Sequence, residues 1–295
     1  MLPSLCYSTI HGIPITLFIP FINDAYYYHK NISSFNYSGY RHLFFNDSEY
    51  KIMPIGNLIN DSSKGKVKMI HYNLISSNNN VTILSIKGTS NKKDMYLDLQ
   101  LYIPSVFLNL LTTFSIFTKL KDTYSFYLVE YSLSIPYRLF FKIFIIDDYI
   151  NDLEHAFNEN IKKFSKNVVI VGHSLGGGLS KILGKRVKKQ SISLSGPGVN
   201  AFHSLWGYEG ISENFDISTI DLVPDMDLVP RVEVSGGTIL RIICREGPFG
   251  CHNKAYSLCE VLIMCRNPNR EIYCRKMANL NDLQIKTIFK NSELN

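Results

Sequence analysis

A serine framed by glycines, between a strand-like run and a helix-like run, is the feature that most constrains this chain. Residues 168–171 are all β-branched, and the pentapeptide Gly-His-Ser-Leu-Gly at 172–176 and a helix-compatible stretch follow them. A sharp strand–turn–helix connection lifts the serine out of the sheet and crowds the positions two residues before and after it. Only glycine leaves room there, and Gly172 and Gly176 occupy those positions. The pattern predicts a nucleophile elbow with Ser174 at its tip.

The composition is that of an ordinary globular protein. The chain has 295 residues, of which 45% are hydrophobic and 19% are charged. This length is sufficient for one large domain with a substantial core. The net charge of +6 favours anionic surfaces such as phospholipid but is modest for the size. No motif indicates nucleic-acid binding.

Strand-like and helix-like segments alternate along the chain, which predicts an α/β fold with a mostly parallel central sheet flanked by helices. The strongest helical patterns span residues 147–164 and 174–187. Strands are predicted at 66–72, 81–87, 167–171, 191–195, 217–223 and 238–244. A serine elbow in the middle of such a sheet indicates an α/β-hydrolase arrangement. We expect an N-terminal elaboration packed on the core (1–64), a catalytic domain (65–265) and a C-terminal tail (266–295).

A nucleophilic serine needs a histidine base, and chain order identifies a candidate. In α/β-hydrolases the order is serine, then Asp or Glu, then histidine. Of the eight histidines, only His203 and His252 follow Ser174. His203 precedes every strong acid candidate, so His252 is the predicted base.

Three carboxylates compete for the role of the acid that orients the histidine. Asp221 falls inside a predicted strand, whereas Asp227 follows the end of that strand, where α/β folds place functional groups. Asp227 is therefore favoured over Asp225, with Asp221 third.

An oxyanion hole requires two donors, and the sequence offers one from each of two segments. The backbone N–H of Leu175, directly after the nucleophile, is the first. The second is expected from Thr89, which follows Gly88 at the end of the strand predicted at 81–87.

These segments resemble the class 3 lipases, the group of fungal triacylglycerol and diacylglycerol lipases. The resemblance rests on Gly-His-Ser-Leu-Gly-Gly at 172–177, Lys-Gly-Thr-Ser at 87–90 with aspartates at 94 and 98, and Asp-Leu-Val-Pro-Arg at 227–231. Lys87 stands where the family usually has arginine. The resemblance implies a triad of Ser174, Asp227 and His252 and oxyanion donors at Thr89 and Leu175. It also implies a lipid substrate without a metal or organic cofactor, and the cysteine-flanked histidine is similar to the vacuolar phospholipase branch.

Six cysteines indicate disulfides rather than a metal site. Five of them lie between residues 244 and 274, and no pair has the C-x-x-C spacing of structural zinc sites. Disulfides predict an oxidising compartment, either secreted or an endomembrane lumen. The alternative is a cytosolic protein with buried thiols. The apolar run 13–22 is compatible with a signal core but lacks a preceding Lys or Arg.

The middle of the chain carries apolar and aromatic residues that suit a lipid boundary. Residues 99–118 contain no charge, and residues 124–146 combine many aromatic residues with basic ones. One interpretation is a helix packed on the sheet, and the other is a lid-like insertion that docks on lipid. A basic cluster at 181–189 is interpreted as a solvated face rather than an anionic lipid contact.

The sequence therefore favours a membrane-associated lipase that hydrolyses long-chain acyl esters, as acylglycerols or phospholipids, at a membrane or droplet surface. Two alternatives stay open: an esterase or acyltransferase acting on soluble esters, and a catalytically inactive lipid-binding protein.

Overall fold

The computed structural model describes most of the predicted core. It covers residues 4–27, 50–62, 65–76, 80–88, 146–160, 167–200, 206–207, 218–231, 235, 237–276, 280–281 and 285–286. The described strands are β1 (Thr9–Ile10), β2 (Ile13–Pro14), β3 (Tyr50–Ser62), β4 (Gly65–Ser76), β5 (Asn80–Ile86), β6 (Val168–His173), β7 (Gln190–Leu194), β8 (Thr219–Pro224) and β9 (Thr238–Ile242). The described helices are α1 (Ile19–Tyr27), α2 (Ile146–Asn160), α3 (Leu175–Arg186), α4 (Gly247–Cys251), α5 (Lys254–Met264) and α6 (Arg270–Lys276).

Within this part of the chain, seven strands form one sheet in the order β3-β4-β5-β6-β7-β8-β9. The pairs β3–β4 and β4–β5 are antiparallel. The five strands from β5 to β9 are parallel to one another. Because their carboxyl ends share one edge of the sheet, the segments that follow β5, β6, β8 and β9 converge there.

Helices cover both faces of the parallel strands. Alternate residues of β6 enter opposite cores, with Val169 and Val171 on one face and Val168 and Ile170 on the other. Helices α1, α5 and α6 contribute to the first core, and α2 and α3 contribute to the second. Strand β6 is apolar on both faces because both faces are covered.

The predicted α/β class with a mostly parallel sheet flanked by helices is confirmed. The strands and the two helices that sequence periodicity indicated are present within a few residues of their predicted bounds. The segment 99–146 falls outside the described residues except at its last position, so the lid-like insertion stays a prediction. The boundaries at 64/65 and 265/266 also stay predictions, although β3 joins the main sheet by pairing with β4.

The apolar run 13–22 is part of the core of this fold. It forms β2, a short 3-10 turn and the first residues of α1. Phe18, Phe21 and Ile22 are fully buried. Sequence periodicity missed α1 because most of its described side chains are buried, so no regular polar face marks the helix.

All six cysteines are paired in the structure. The disulfides are Cys6–Cys265, Cys244–Cys251 and Cys259–Cys274. They agree with the predicted secreted or lumenal location, because such bonds persist in oxidising compartments. Among the helices described here, none combines the length and the apolar character that crossing a bilayer requires.

The interpretation of the basic cluster at 181–189 as a solvated face is wrong for two of its members. The Lys181 side chain is 1% exposed and forms an ion pair with Asp221. Arg186 forms an ion pair with Glu154 of α2 and donates to the backbone carbonyl of Trp206. The cluster is therefore divided between internal ion pairs and surface positions such as the exposed Lys188.

Candidate active site

Ser174 lies in a strained turn between β6 and α3, as the sequence pattern predicted. Its φ of 57° and ψ of −128° are rare for a residue with a side chain. Its N–H donates to the carbonyl of Leu194 on β7, at 3.1 Å, which ties the turn to the sheet. A Cβ on Gly172 would collide with the carbonyl of Gly176, and one on Gly176 would collide with the carbonyl of Ile86. The two glycines therefore allow the close approach that the turn requires.

The structure brings Ser174, His252 and Asp227 into one hydrogen-bonded series. The Ser174 hydroxyl lies 2.9 Å from Nε2 of His252. Nδ1 of His252 lies 3.1 and 3.0 Å from the two carboxylate oxygens of Asp227. Asp227 is fully buried, and its Oδ1 also accepts from the N–H of Val229 at 2.9 Å. This is the arrangement by which a carboxylate orients an imidazole toward a serine.

The three candidate carboxylates have three different environments. Asp221 is buried and lies 2.9 Å from Nζ of Lys181, and burial raises the pKa of Asp221 although this lysine opposes the shift. Asp225 is 41% exposed at its side chain and lies 3.7 Å from Arg241. Of the three, Asp227 is the one in contact with His252.

Chain topology explains why these groups meet. Ser174 follows β6, and Asp227 follows β8. His252 caps the C-terminus of α4, which comes after β9, and it lies directly after the Cys244–Cys251 disulfide. His203, the other histidine that follows the serine, lies outside the described residues.

Of the two predicted oxyanion donors, Leu175 lies among the described residues. Leu175 is the first residue of α3, so its N–H has no partner within the helix and lies at the positive end of the helix dipole. Thr89 lies outside the described residues. The preceding residue, Gly88, is close enough to the elbow that a Cβ there would collide with the carbonyl of His173.

Three residues to which the sequence assigned no role, His173, Tyr26 and Lys254, lie at or beside the site. His173 is 6% exposed, and its ring lies between the hydroxyl of Tyr26 and the backbone carbonyl of His252. Burial, followed by the charge of His252, holds the pKa of His173 well below 6.5. The Lys254 ammonium lies 4.0 Å from the centre of the Tyr26 ring, and burial lowers the pKa of that lysine. His173 was visible within the elbow motif, but no local signal connected Tyr26 to it.

Comparison with known proteins gives structural matches without sequence matches. No protein-family profile matches the sequence, and no curated protein sequence matches it. The structure is similar to Lip2 lipase from Yarrowia lipolytica, at 17% identity and a TM-score of 0.34, over 65% of this chain and 66% of that one, just under two thirds of its length. It is also similar to a point mutant of MDLA from Penicillium cyclopium, at 13% identity and a TM-score of 0.37, over 78% and 79% of the two chains.

One of these matches is a fungal lipase, the kind of protein that the sequence motifs resemble. With TM-scores below 0.5, neither match determines the chemistry of this chain. The functional proposal therefore rests on the geometry around Ser174.

Proposed function

We propose that the protein is a serine ester hydrolase of the lipase type, which cleaves long-chain acyl esters at a lipid surface. The observation that carries the proposal is the series of hydrogen bonds from Ser174 through His252 to Asp227. A serine becomes a useful nucleophile at neutral pH only when a base of this kind accepts its proton.

The reaction proceeds through an acyl-enzyme. Oγ of Ser174 attacks the ester carbonyl while Nε2 of His252 takes the hydroxyl proton. The tetrahedral intermediate then collapses, and His252 returns the proton to the leaving alcohol. Water, activated by the same imidazole, hydrolyses the acyl-enzyme. Asp227 holds Nδ1–H and stabilises the imidazolium in both halves of the reaction.

The negative charge of each tetrahedral intermediate requires donors that are already in position. The N–H of Leu175 at the start of α3 supplies one, and Thr89 is proposed as the other. Loss of one such donor typically lowers the rate by about 100- to 1000-fold. The reaction needs no redox step or group carrier, so the proposal names no cofactor.

Exposed apolar side chains near the triad support a lipid rather than a soluble substrate. Leu228, next to Asp227, is 58% exposed, and Phe249, three residues before His252, is 94% exposed. Single exposed apolar side chains are common on protein surfaces, so the support lies in the position of these two, close in sequence to Asp227 and His252. Beside a hydrolytic site, they suit the acyl region of a lipid surface.

Hydrolysis of a lipid panel by the wild type and Ser174→Ala tests the proposal. The panel contains triacylglycerol, diacylglycerol, phosphatidylcholine, an anionic phospholipid and a short soluble ester. We expect Ser174→Ala to lose turnover by about 10⁴-fold or more and to lose labelling by a fluorophosphonate. Ser180→Ala is the matched control, because Ser180 lies on α3, the helix that follows Ser174, and donates to the carbonyl of Gly177.

Each alternative function has its own outcome in this assay. Turnover of the soluble ester alone, lost in Ser174→Ala, would favour an esterase or acyltransferase over a lipase. A folded wild type without turnover or labelling would contradict the hydrolase and favour a lipid-binding protein.

The lipid surface is tested separately with Phe249→Asp. We expect this variant to lose activity on emulsified lipid at least tenfold while it retains activity on the soluble ester. Ile272→Asp is the control, since Ile272 is 45% exposed on α6. Equal activity of both variants on emulsions would contradict a role for Phe249 at the lipid surface.

A further inference from the structure

The His173 ring is held by one hydrogen bond at each nitrogen. Its Nδ1 lies 2.9 Å from the hydroxyl of Tyr26, and its Nε2 lies 2.8 Å from the backbone carbonyl of His252. The ring therefore lies between the N-terminal helix α1 and the loop that carries the proposed base.

The chemistry of the two partners fixes the tautomer of His173. A carbonyl oxygen only accepts, so Nε2 carries the proton and donates it to His252. Nδ1 then has a free lone pair, which accepts from the Tyr26 hydroxyl. The neutral ring satisfies both bonds, in agreement with the lowered pKa that burial gives this histidine.

This arrangement holds His252 at both its backbone and its side chain. His173 binds the backbone carbonyl of His252. The imidazole of His252 contacts Ser174, which directly follows His173 in the chain. The rings of His173 and His252 also pack, with centroids 4.9 Å apart. Because residues 173 and 174 belong to one rigid elbow, the two bonds together define where the base lies relative to the nucleophile.

Tyr26 connects this arrangement to a third part of the site. Its hydroxyl is so close to Gly88 that a Cβ there would collide with it. Gly88 directly precedes Thr89, the predicted oxyanion residue. The Tyr26 hydroxyl is also 3.2 Å from the carbonyl of His173. The tyrosine thus contacts both the elbow and the end of β5.

We propose that Tyr26 and His173 are positioning residues, which act through the backbone of His252 to hold its imidazole in line with Ser174. The inference rests on the proposed hydrolase function. It assigns to α1, far away in sequence, a part in the alignment of the site.

The test compares His173→Leu, His173→Gln and Tyr26→Phe on the soluble ester. His173→Leu should lower kcat by about 10- to 100-fold with KM nearly unchanged, because small misplacements of reacting groups cost rates of this order. His173→Gln should recover most of the loss, since its amide both donates and accepts. Tyr26→Phe should lower kcat severalfold and should have no further effect in the His173→Leu background.

The control is Tyr273→Phe, which removes the hydroxyl of a buried tyrosine on α6 and should leave kcat unchanged. The rate of fluorophosphonate labelling is measured for each variant together with Tm. The inference is overturned if His173→Leu keeps the wild-type kcat, or if His173→Gln is as impaired as His173→Leu. It is also overturned if kcat falls only in variants whose Tm falls in proportion.

These results are separable from failure of the hydrolase proposal. Activity that persists in Ser174→Ala overturns the function itself. Activity that depends on Ser174 but is indifferent to both His173 variants overturns only the positioning role.

Discussion

The carboxylate at position 227 differs from its neighbours in what surrounds it, not in its chemistry. Asp221 forms an ion pair with Lys181, and Asp225 lies near the surface beside Arg241. Asp227 is buried against His252, with a backbone N–H on one of its oxygens. A buried carboxylate in this position can stabilise an imidazolium because water does not screen it.

We therefore predict that Asp227→Asn lowers kcat on the soluble ester by about 10³- to 10⁴-fold, because the amide no longer supports the correct tautomer of His252. Asp225→Asn is the matched control and should change kcat by no more than about twofold, since Asp225 lies on the surface. The measurement is kcat at neutral pH for both variants. The reverse ranking would transfer the role of the acid to Asp225.

His173 should make the stability of the protein depend on pH. Its pKa is well below 6.5 in the folded state, mainly because of burial, and close to 6.5 when unfolded. The unfolded state therefore binds the proton more readily, and the free energy of unfolding falls as the pH drops below 6.5. The slope contributed by one such group is at most about 1.4 kcal/mol per pH unit.

Urea denaturation of the wild type and His173→Gln between pH 7.5 and 5 measures this term. The difference in the free energy of unfolding between the two proteins should shift in favour of the glutamine variant as the pH falls. A difference that stays constant across this range would contradict the assignment of a neutral, buried His173.

At the scale of elements, the buried pair Lys181–Asp221 joins the elbow helix α3 to strand β8, which precedes Asp227. The two side chains are 1% and 3% exposed and lie 2.9 Å apart. Removal of one partner leaves the other charge buried without its ion-pair partner, which is more costly than removal of both.

We predict that Lys181→Met lowers the free energy of unfolding by about 3 to 5 kcal/mol. The double variant Lys181→Met/Asp221→Leu should lose much less. Urea denaturation of Lys181→Met, Asp221→Leu and the double variant gives the coupling energy. Additive losses would show that the pair does not act as a unit.

The elements themselves were predictable where they have one solvent-facing side or a short β-branched run. Helix α2 showed an apolar stripe, and strand β6 showed a continuous β-branched run. Helix α1 showed neither, because Ile19, Phe21 and Ile22 are buried among other apolar groups and the segment contains prolines. Its burial is a property of the assembled layers.

At the scale of the whole molecule, two disulfides fix separate parts of the chain: one links the N-terminal segment to the core, and the other closes the loop that carries His252. Cys6–Cys265 spans 259 residues, whereas Cys244–Cys251 spans 7 and lies directly before His252. In the chain-entropy description these bonds contribute about 5.5 and about 2.4 kcal/mol of stability, respectively.

We predict that the two bonds affect different properties. Cys6→Ser/Cys265→Ser should lower Tm more, and Cys244→Ser/Cys251→Ser should lower kcat more, because the shorter bond fixes the loop that carries His252. Thermal unfolding and soluble-ester turnover of the two double variants check this. A larger loss of kcat in the Cys6/Cys265 variant would contradict it.

The elbow at Ser174, the alternation of strands and helices, and His252 as the histidine compatible with the chain order could all be predicted from the sequence. These features depend on residues that are close in the chain or on their order, and local sterics and periodicity act at that range. The acid was favoured but left open, and the burial of Lys181, the bond between Cys6 and Cys265 and the approach of Tyr26 were not foreseen. They join residues separated by 25, 40, 259 and 147 positions. Only the packing of the layers brings such residues together, because the free energy of a long-range contact depends on the whole core that surrounds it.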